Sequence, residues 1–225
     1  MTLKQGIQTI EKGDLHYRID GAGRLQTYTP WLGDAFSILY DWMMERSVIP
    51  KKLGADIERH YTILRAALQG VHGARVLELG TGSGSAVHFL ANDNTYTGID
   101  ISPRLLRRAS KRLRSAGFNG AALYVTPARD LPFADDDFGA CLCVLSLNFF
   151  EEARQVFQEV SRVLVPGGML VGSVPVPERN RRHSVIRGTL YGEEALAALC
   201  EKAGLRFASL PDENGTLLYF KAVVV

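Results

Sequence analysis

The stretch Val76-Leu-Glu-Leu-Gly-Thr-Gly-Ser-Gly84 is a short apolar run followed at once by three glycines at alternate positions. Short apolar runs bounded by glycine are typical of buried strands. Glycines allow the backbone to turn sharply and let a ligand approach main-chain N–H groups. We expect a helix over residues 84–92 after the turn, and the N-terminus of a helix favours the negative end of a ligand. The sequence therefore predicts a ligand-binding loop between a strand and a helix.

Downstream of this stretch, apolar strand-like runs alternate with helix-like stretches. Further strands are predicted over residues 96–100, 121–125, 138–147 and 168–174, with helices over 102–117, 151–164 and 193–203. Continuous apolar runs suit strands that are covered on both faces, and strand–helix alternation predicts a parallel sheet between two layers of helices. The final two strands, 205–210 and 216–225, are joined by a turn too short for a crossover, so they must be antiparallel. The fold class is therefore α/β and doubly wound.

The first 70 residues have a different pattern. Residues 7–29 are compatible with a hairpin, and residues 34–46 and 55–69 have the spacing of amphipathic helices. We interpret residues 1–70 as an N-terminal helical cap or lid on the sheet, and residues 71–225 as the ligand-binding domain.

Composition excludes several classes of protein. The 225 residues carry 26 Lys and Arg against 24 Asp and Glu, a net charge of +2, which gives no general attraction for nucleic acid. No apolar run approaches the length of a membrane span, and the N-terminal residues lack a secretory signal pattern, so we expect a cytoplasmic protein. The three cysteines are expected to be reduced core thiols, and no metal site is predicted because no set of four ligands is apparent.

A second motif ends the next predicted strand. Asp100 lies some 20 residues past the glycine turn, where a carboxylate can accept hydrogen bonds from both ribose hydroxyls of an adenine nucleoside. The spacing of the glycines departs from the dinucleotide fingerprint, because the third glycine comes one residue early. Glu78, two residues before the first glycine, suits a ligand with a cationic amino acid end and would repel a pyrophosphate. Both departures favour S-adenosylmethionine over a nicotinamide dinucleotide.

At this point the sequence resembles the class I S-adenosylmethionine-dependent methyltransferases. It is most similar to the small-molecule branch called methyltransferase type 11, which includes ubiquinone and menaquinone methyltransferase-like proteins. The resemblance rests on VLELGTGSG at 76–84, YTGIDISPRLLRRA at 96–109, ARDLPFADDDF at 128–138 and EVSRVLVPGGMLV at 159–171. It implies a Rossmann-like seven-stranded sheet of order 3-2-1-4-5-7-6, with strand 7 antiparallel.

The resemblance also implies the residues that bind the cofactor. Glu78 and the loop of Gly80, Thr81, Gly82 and Gly84 would line its methionine end. Asp100 would hold the ribose, and Ile101 would pack on the adenine. Ala128 and Arg129 would flank the adenine through main-chain contacts, and Cys143, Val144 and Leu145 would lie beside the methionine moiety.

Two positions depart from the family pattern. Pro127 stands where the family often has an Asp that meets the adenine amino group, and Gly139 stands where it usually has an Asp. Loss of the first contact would cost about 0.5–1.5 kcal/mol of affinity. These departures leave a non-catalytic cofactor-binding protein as an alternative to a methyltransferase, and a nicotinamide-dependent oxidoreductase as a third possibility.

The substrate is expected to be a small molecule. Tyr28, Trp31 and Tyr40 of the cap could shape an apolar pocket that excludes water from the reacting centre. Arg182 and His183, in a basic loop after the fifth strand, could bind an acidic or phosphorylated group, because guanidinium pairs with carboxylate and phosphate. The sequence identifies no general base among its histidines.

Overall fold

A computed structural model describes residues 2–28, 55–179, 186, 188–212 and 215–225. The predicted helix over 34–46, together with Trp31, Tyr40, Arg182 and His183, lies outside these residues. In the described part of the chain, no helix is both long and apolar enough to span a bilayer.

Nine strands form one sheet in the order β1-β2-β5-β4-β3-β6-β7-β9-β8. The strands are β1 Thr9–Lys12, β2 Leu15–Arg18, β3 Arg75–Leu79, β4 Thr95–Asp100, β5 Ala122–Val125, β6 Phe138–Val144, β7 Leu164–Pro175, β8 Leu205–Leu210 and β9 Leu217–Val224. The described residues form four α-helices, which are α1 Ile57–Ala67, α2 Pro103–Ser115, α3 Ala153–Val163 and α4 Glu193–Lys202.

The predicted count of seven strands is wrong, because an N-terminal hairpin adds two strands at the edge beside β5. β1 and β2 are antiparallel and joined at Gly13-Asp14, and β2 pairs parallel with β5. The order across the whole sheet therefore differs from the predicted one by these two strands. The other seven follow the predicted sequence of neighbours, with β9 antiparallel between β7 and β8.

Helices cover both faces of the sheet. Apolar residues of α1 and α2, such as Leu64 and Leu106, share one buried cluster with the same-side residues of the strands. Residues of α3 and α4, such as Phe157 and Leu196, share the cluster on the opposite face. Burial on both faces explains why the central strands have continuous rather than alternating apolar sequences.

Local signals set where the helices begin. The Asp56 carboxylate accepts from the N–H of Arg59 at 2.7 Å and caps α1. The Ser102 hydroxyl accepts from the N–H of Leu105 at 3.2 Å and caps α2. Side chains that accept from these first N–H groups replace the partners that the start of a helix lacks. Because Ser102 follows Asp100 so closely, this cap also fixes the chain direction at the predicted ribose site.

Two local predictions were wrong. The expected helix over 84–92 is only a 3-10 helix, Ser85–His88, because Gly84 enters it from a left-handed conformation and Phe89 leaves helical geometry. β7 begins directly after α3, at Leu164, rather than at Gly168. Its pairing with β6 shifts register between Phe138 and Ala140, which lets the Pro166-Gly167 segment bulge within the strand.

Candidate functional site

The glycine turn leaves the end of β3 in a conformation that requires glycine. Gly80, Gly82 and Gly84 have φ values of 67°, 55° and 85°, in the left-handed region. The turn is tied to β4, since the N–H of Thr81 donates to the carbonyl of Ile99 at 2.9 Å. The predicted loop is therefore present and held against the end of the neighbouring strand.

Asp100 joins this turn at the end of β4. One carboxylate oxygen accepts from the N–H of Gly82 at 3.0 Å, and the other accepts from the N–H of Ser102 at 2.8 Å. These bonds fix the orientation of the half-buried carboxylate across the mouth of the turn. Ile101, the next residue, is also half-buried. The structure thus brings together the two motifs that the sequence predicted to act jointly.

Glu78 lies under the turn, in contact with β4. Its side chain is 2% exposed, and the Tyr96 hydroxyl donates to its carboxylate. The same hydroxyl lies 3.2 Å from the Thr81 hydroxyl oxygen. Burial raises the pKa of Glu78 to about 8, with a further rise from the charge of Asp100 and an opposing effect of the Tyr96 hydrogen bond. No pattern in the sequence indicates Tyr96 as the partner of this carboxyl group.

Gly98 makes room for this polar cluster. A Cβ atom at this position would lie 2.4 Å from the Thr81 hydroxyl oxygen and 3.0 Å from a ring carbon of Tyr96. Any larger residue on this part of β4 would therefore push apart the groups that contact Glu78.

The end of β6 lies beside the turn on the other side. Cys143 is buried, and burial raises the pKa of its thiol to about 12, so it is a neutral packing group. Val144 follows, and Leu145 adopts a φ of 53° while its N–H donates to the carbonyl of Ser173 at 2.9 Å. A left-handed leucine is strained, and such residues concentrate at functional sites.

Ser146 is a site residue that the sequence analysis missed. Its hydroxyl donates to the carbonyl of Leu79 at 2.9 Å, which links β6 to the start of the turn. A Cβ on Gly80 would lie 2.5 Å from the Ser146 Cβ, so these two backbones pack as closely as glycine allows. The only available signal was its position, directly after a strand that ends at this edge of the sheet.

The predicted adenine end is built from the loop after β5. The N–H of Thr126 donates to the carbonyl of Asp100 at 3.2 Å, which places this loop beside the carboxylate predicted to bind the ribose. Ala128 is buried, and Arg129 forms an ion pair with Glu151 at 3.1 Å. Burial raises the pKa of the Tyr28 phenol, and a hydrogen-bonding effect of Thr126 opposes this rise, which places Tyr28 near this end of the site.

In the described residues, the hydrogen bonds, ion pairs and ring contacts of the histidine side chains are made with residues outside the glycine turn, and His16 stacks on Tyr124 of β5. His60 is buried, its Nδ1 lies 2.9 Å from the Tyr219 hydroxyl, and burial lowers its pKa to about 4. His72 pairs with the surface residue Asp93. His88 stacks on Tyr61 with ring centroids 4.8 Å apart. Orientation of the reactants is therefore the effect that the described residues can supply.

Comparison with known families and proteins agrees with this geometry. Residues 77–172 match the family model described as a methyltransferase domain, Methyltransf_11. A fatty-acid O-methyltransferase of Mycolicibacterium smegmatis is 38% identical over 106 residues, which are 46% of this chain and 38% of that protein. A demethylmenaquinone methyltransferase of Tropheryma whipplei is 38% identical over 100 residues, 44% of this chain and 41% of that protein. The chain thus spans less than half the length of these two relatives.

Solved structures share the fold. The complex between the Haloferax volcanii Trm112 methyltransferase activator and a putative methyltransferase contains a chain that matches with a TM-score of 0.69 and 20% identity, over 88% of this chain and 99% of that one. A Thermotoga maritima protein described as an S-adenosylmethionine-dependent methyltransferase, possibly acting on histamine, matches with a TM-score of 0.63 and 19% identity, over 86% of this chain and 98% of that one.

Proposed function

We propose that this protein, whose residues 77–172 match the methyltransferase domain model, is an S-adenosylmethionine-dependent methyltransferase that transfers the cofactor's methyl group to a small molecule. The observation that carries the proposal is the pair of hydrogen bonds that hold the Asp100 carboxylate across the glycine turn. A carboxylate in this position suits a ribose, and the turn beside it suits an amino acid end rather than a pyrophosphate.

The residues present fit the cofactor along its length. Asp100 would accept from the ribose hydroxyls, with Ile101 against the adenine and Ala128 and Arg129 flanking it. The glycine turn, including Thr81, would line the methionine end, where the buried Glu78 would face the cationic groups and ionise as they bind. Cys143, Val144 and Leu145 would close the site on the side of β6.

The bound cofactor supplies a methyl group on a positively charged sulfur, which needs no further activation for displacement by a nucleophile. The chain's own contribution is to align the reactants. Holding the acceptor and the methyl group in line replaces an encounter in solution and lowers the activation barrier by several kcal/mol or more. Leu145 and Ser146 are fixed by Ser173 and Leu79, so the wall beside the methionine end is rigid. Rigidity of this wall limits the directions from which an acceptor reaches the methyl group.

The acceptor would approach from the carboxyl edge of β6 and β7. The named relatives act on a fatty acid and on demethylmenaquinone, which supports a small acceptor with an apolar part. Tyr28, Trp31 and Tyr40 are proposed to contribute the apolar wall, and Arg182 and His183 a polar end. A general base is not required if the acceptor reacts as an anion or a neutral amine.

Calorimetric titration with S-adenosylmethionine and S-adenosylhomocysteine tests the cofactor assignment. We expect saturable binding to the native protein and a loss of about 100-fold or more in Asp100→Ala, because a charged acceptor of two ribose hydrogen bonds is removed. Asp93→Asn, at a surface carboxylate, is the matched control and should bind normally. Absence of binding at millimolar ligand would reject the cofactor assignment.

Methyl transfer itself is tested separately, by incubation of the protein with a metabolite extract and a methyl-labelled cofactor. Label in an extracted small molecule that disappears with Asp100→Ala supports the proposed function. Binding of the cofactor without label transfer to any fraction would instead favour the non-catalytic alternative.

A further inference from the structure

The N-terminal hairpin is fastened to the loop that follows β5. Arg18, the last residue of β2, is 7% exposed, and its guanidinium donates to the backbone carbonyl of Asp130 at 3.0 Å and to its carboxylate at 2.6 Å. The guanidinium is buried while the Asp130 carboxylate is largely exposed, so loss of that carboxylate would leave the buried guanidinium without its charged partner. The chain after Arg18 is therefore held beside residues 126–130.

Two polar side chains just after this anchor lie near the same loop. The N–H of Gln26 donates to the carbonyl of Arg18 at 2.9 Å, which keeps Gln26 next to the end of β2. The Tyr28 hydroxyl donates to the Gln26 side-chain oxygen at 2.9 Å. Tyr28 is half-buried, and burial raises the pKa of its phenol against opposing effects of the nearby Arg18 charge and Thr126 hydroxyl. The amide of Gln26 is therefore held by Tyr28 at the edge of the loop.

This loop is where the adenine ring would lie. Thr126 is hydrogen-bonded to the backbone of Asp100, so the segment after it adjoins the proposed ribose site. Pro127, within this segment, has no side-chain acceptor for the 6-amino group of adenine. A base that lies over residues 126–130 directs that amino group toward the edge of the sheet, where β2 and the chain after it pack.

We propose that the side-chain oxygen of Gln26 accepts a hydrogen bond from the 6-amino group of the cofactor's adenine, and that Tyr28 positions Gln26 for this contact. An amide oxygen accepts two hydrogen bonds, and Tyr28 supplies one of them. The inference rests on the proposed placement of the cofactor. It assigns adenine recognition to the segment after the N-terminal hairpin, outside the matched domain, and it moves Tyr28 from the substrate pocket to the cofactor pocket.

The experiment compares S-adenosylhomocysteine with its 6-deamino analogue, in which purine replaces adenine and nothing else changes. Calorimetry on the native protein should show about fivefold tighter binding of the adenine ligand, the effect of a single net hydrogen bond. Gln26→Ala should reduce the ratio of the two affinities to about one, chiefly by weakening the binding of the adenine ligand. Tyr28→Phe should lower the ratio to about half, since Gln26 remains but is no longer held by the hydroxyl.

Thr27→Ala is the matched control, because Thr27 is exposed and lies between the two residues. Its ratio should equal that of the native protein. Gln26→Met, an uncharged chain of similar length, provides a second test if the alanine variant folds poorly, and it should also give a ratio of about one. An unchanged ratio in either Gln26 variant, or a native ratio of one, overturns the inference. Failure of the native protein to bind either ligand would instead reject the cofactor assignment.

Discussion

Affinity for S-adenosylmethionine should rise with pH until about pH 8, because binding requires the ionised form of Glu78. Burial raises the pKa of this carboxyl group to about 8 from an ordinary value of 4.5, so most of it carries a proton at pH 7. The cationic groups of the cofactor favour the carboxylate. Below pH 8, binding therefore releases a proton, and each unit of acidification should weaken the observed affinity by up to about tenfold.

The expected change is large enough to separate from other effects. With a pKa of about 8, roughly 1% of Glu78 is ionised at pH 6 and about half at pH 8, which gives a gain of about 50-fold over this interval. Tyr96→Phe removes the hydroxyl that donates to the carboxylate and thus raises the pKa further. This variant should bind more weakly at pH 7, by about tenfold for a hydrogen bond to a charged group.

Calorimetry at half-unit steps from pH 6 to pH 8.5 measures this dependence. Glu78→Gln serves as the control, because it keeps the shape of the side chain and leaves only the titration of the cofactor and of other groups. At pH 6.5, the logarithm of the association constant should rise with pH more steeply in the native protein than in this variant. The difference in slope should be close to one, which corresponds to one proton released on binding. Equal slopes in the two proteins would refute the assignment of Glu78 to the methionine end.

Three further predictions concern the turn, the ribose site and the helix that covers the sheet. Gly80→Ala should lower the free energy of unfolding by about 3 kcal/mol, measured in urea, because its Cβ would lie 2.5 Å from the Cβ of Ser146 at a left-handed φ; a loss under about 1 kcal/mol would contradict the close packing. Asp100→Asn should keep the fold but weaken the binding of S-adenosylhomocysteine, measured by calorimetry, at least tenfold, since an amide has only one acceptor oxygen. Binding with the native affinity would argue against the ribose contact. For His60, burial lowers the pKa to about 4, so acidification from pH 7 to 5 charges the unfolded state but not the folded one. Stability should fall by about 2 kcal/mol over this range, and His60→Gln should remove that part of the fall in parallel urea titrations; identical pH slopes would show that His60 titrates normally.

Local patterns in the amino-acid sequence were enough to predict the doubly wound sheet and the two motifs at its carboxyl edge. These signals are local: an apolar run, a glycine turn and an acid at the end of the next strand each lie within a few residues of chain. A left-handed backbone at Gly80, Gly82 and Gly84 can be predicted because residues other than glycine rarely adopt it. The pairing of this turn with Asp100 follows from parallel strands, whose carboxyl ends meet at one edge of the sheet.

The residues that complete the site from distant parts of the chain became visible in the folded molecule. Tyr96 reaches Glu78, Ser146 reaches the turn, and the N-terminal hairpin joins the edge at β5 through contacts between separate parts of the chain. Such contacts depend on strand register and on which edge remains open, and neither is encoded by a local pattern. The hairpin made the sheet nine-stranded for this reason, because the open edge of β5 offered unpaired backbone groups that β2 could satisfy.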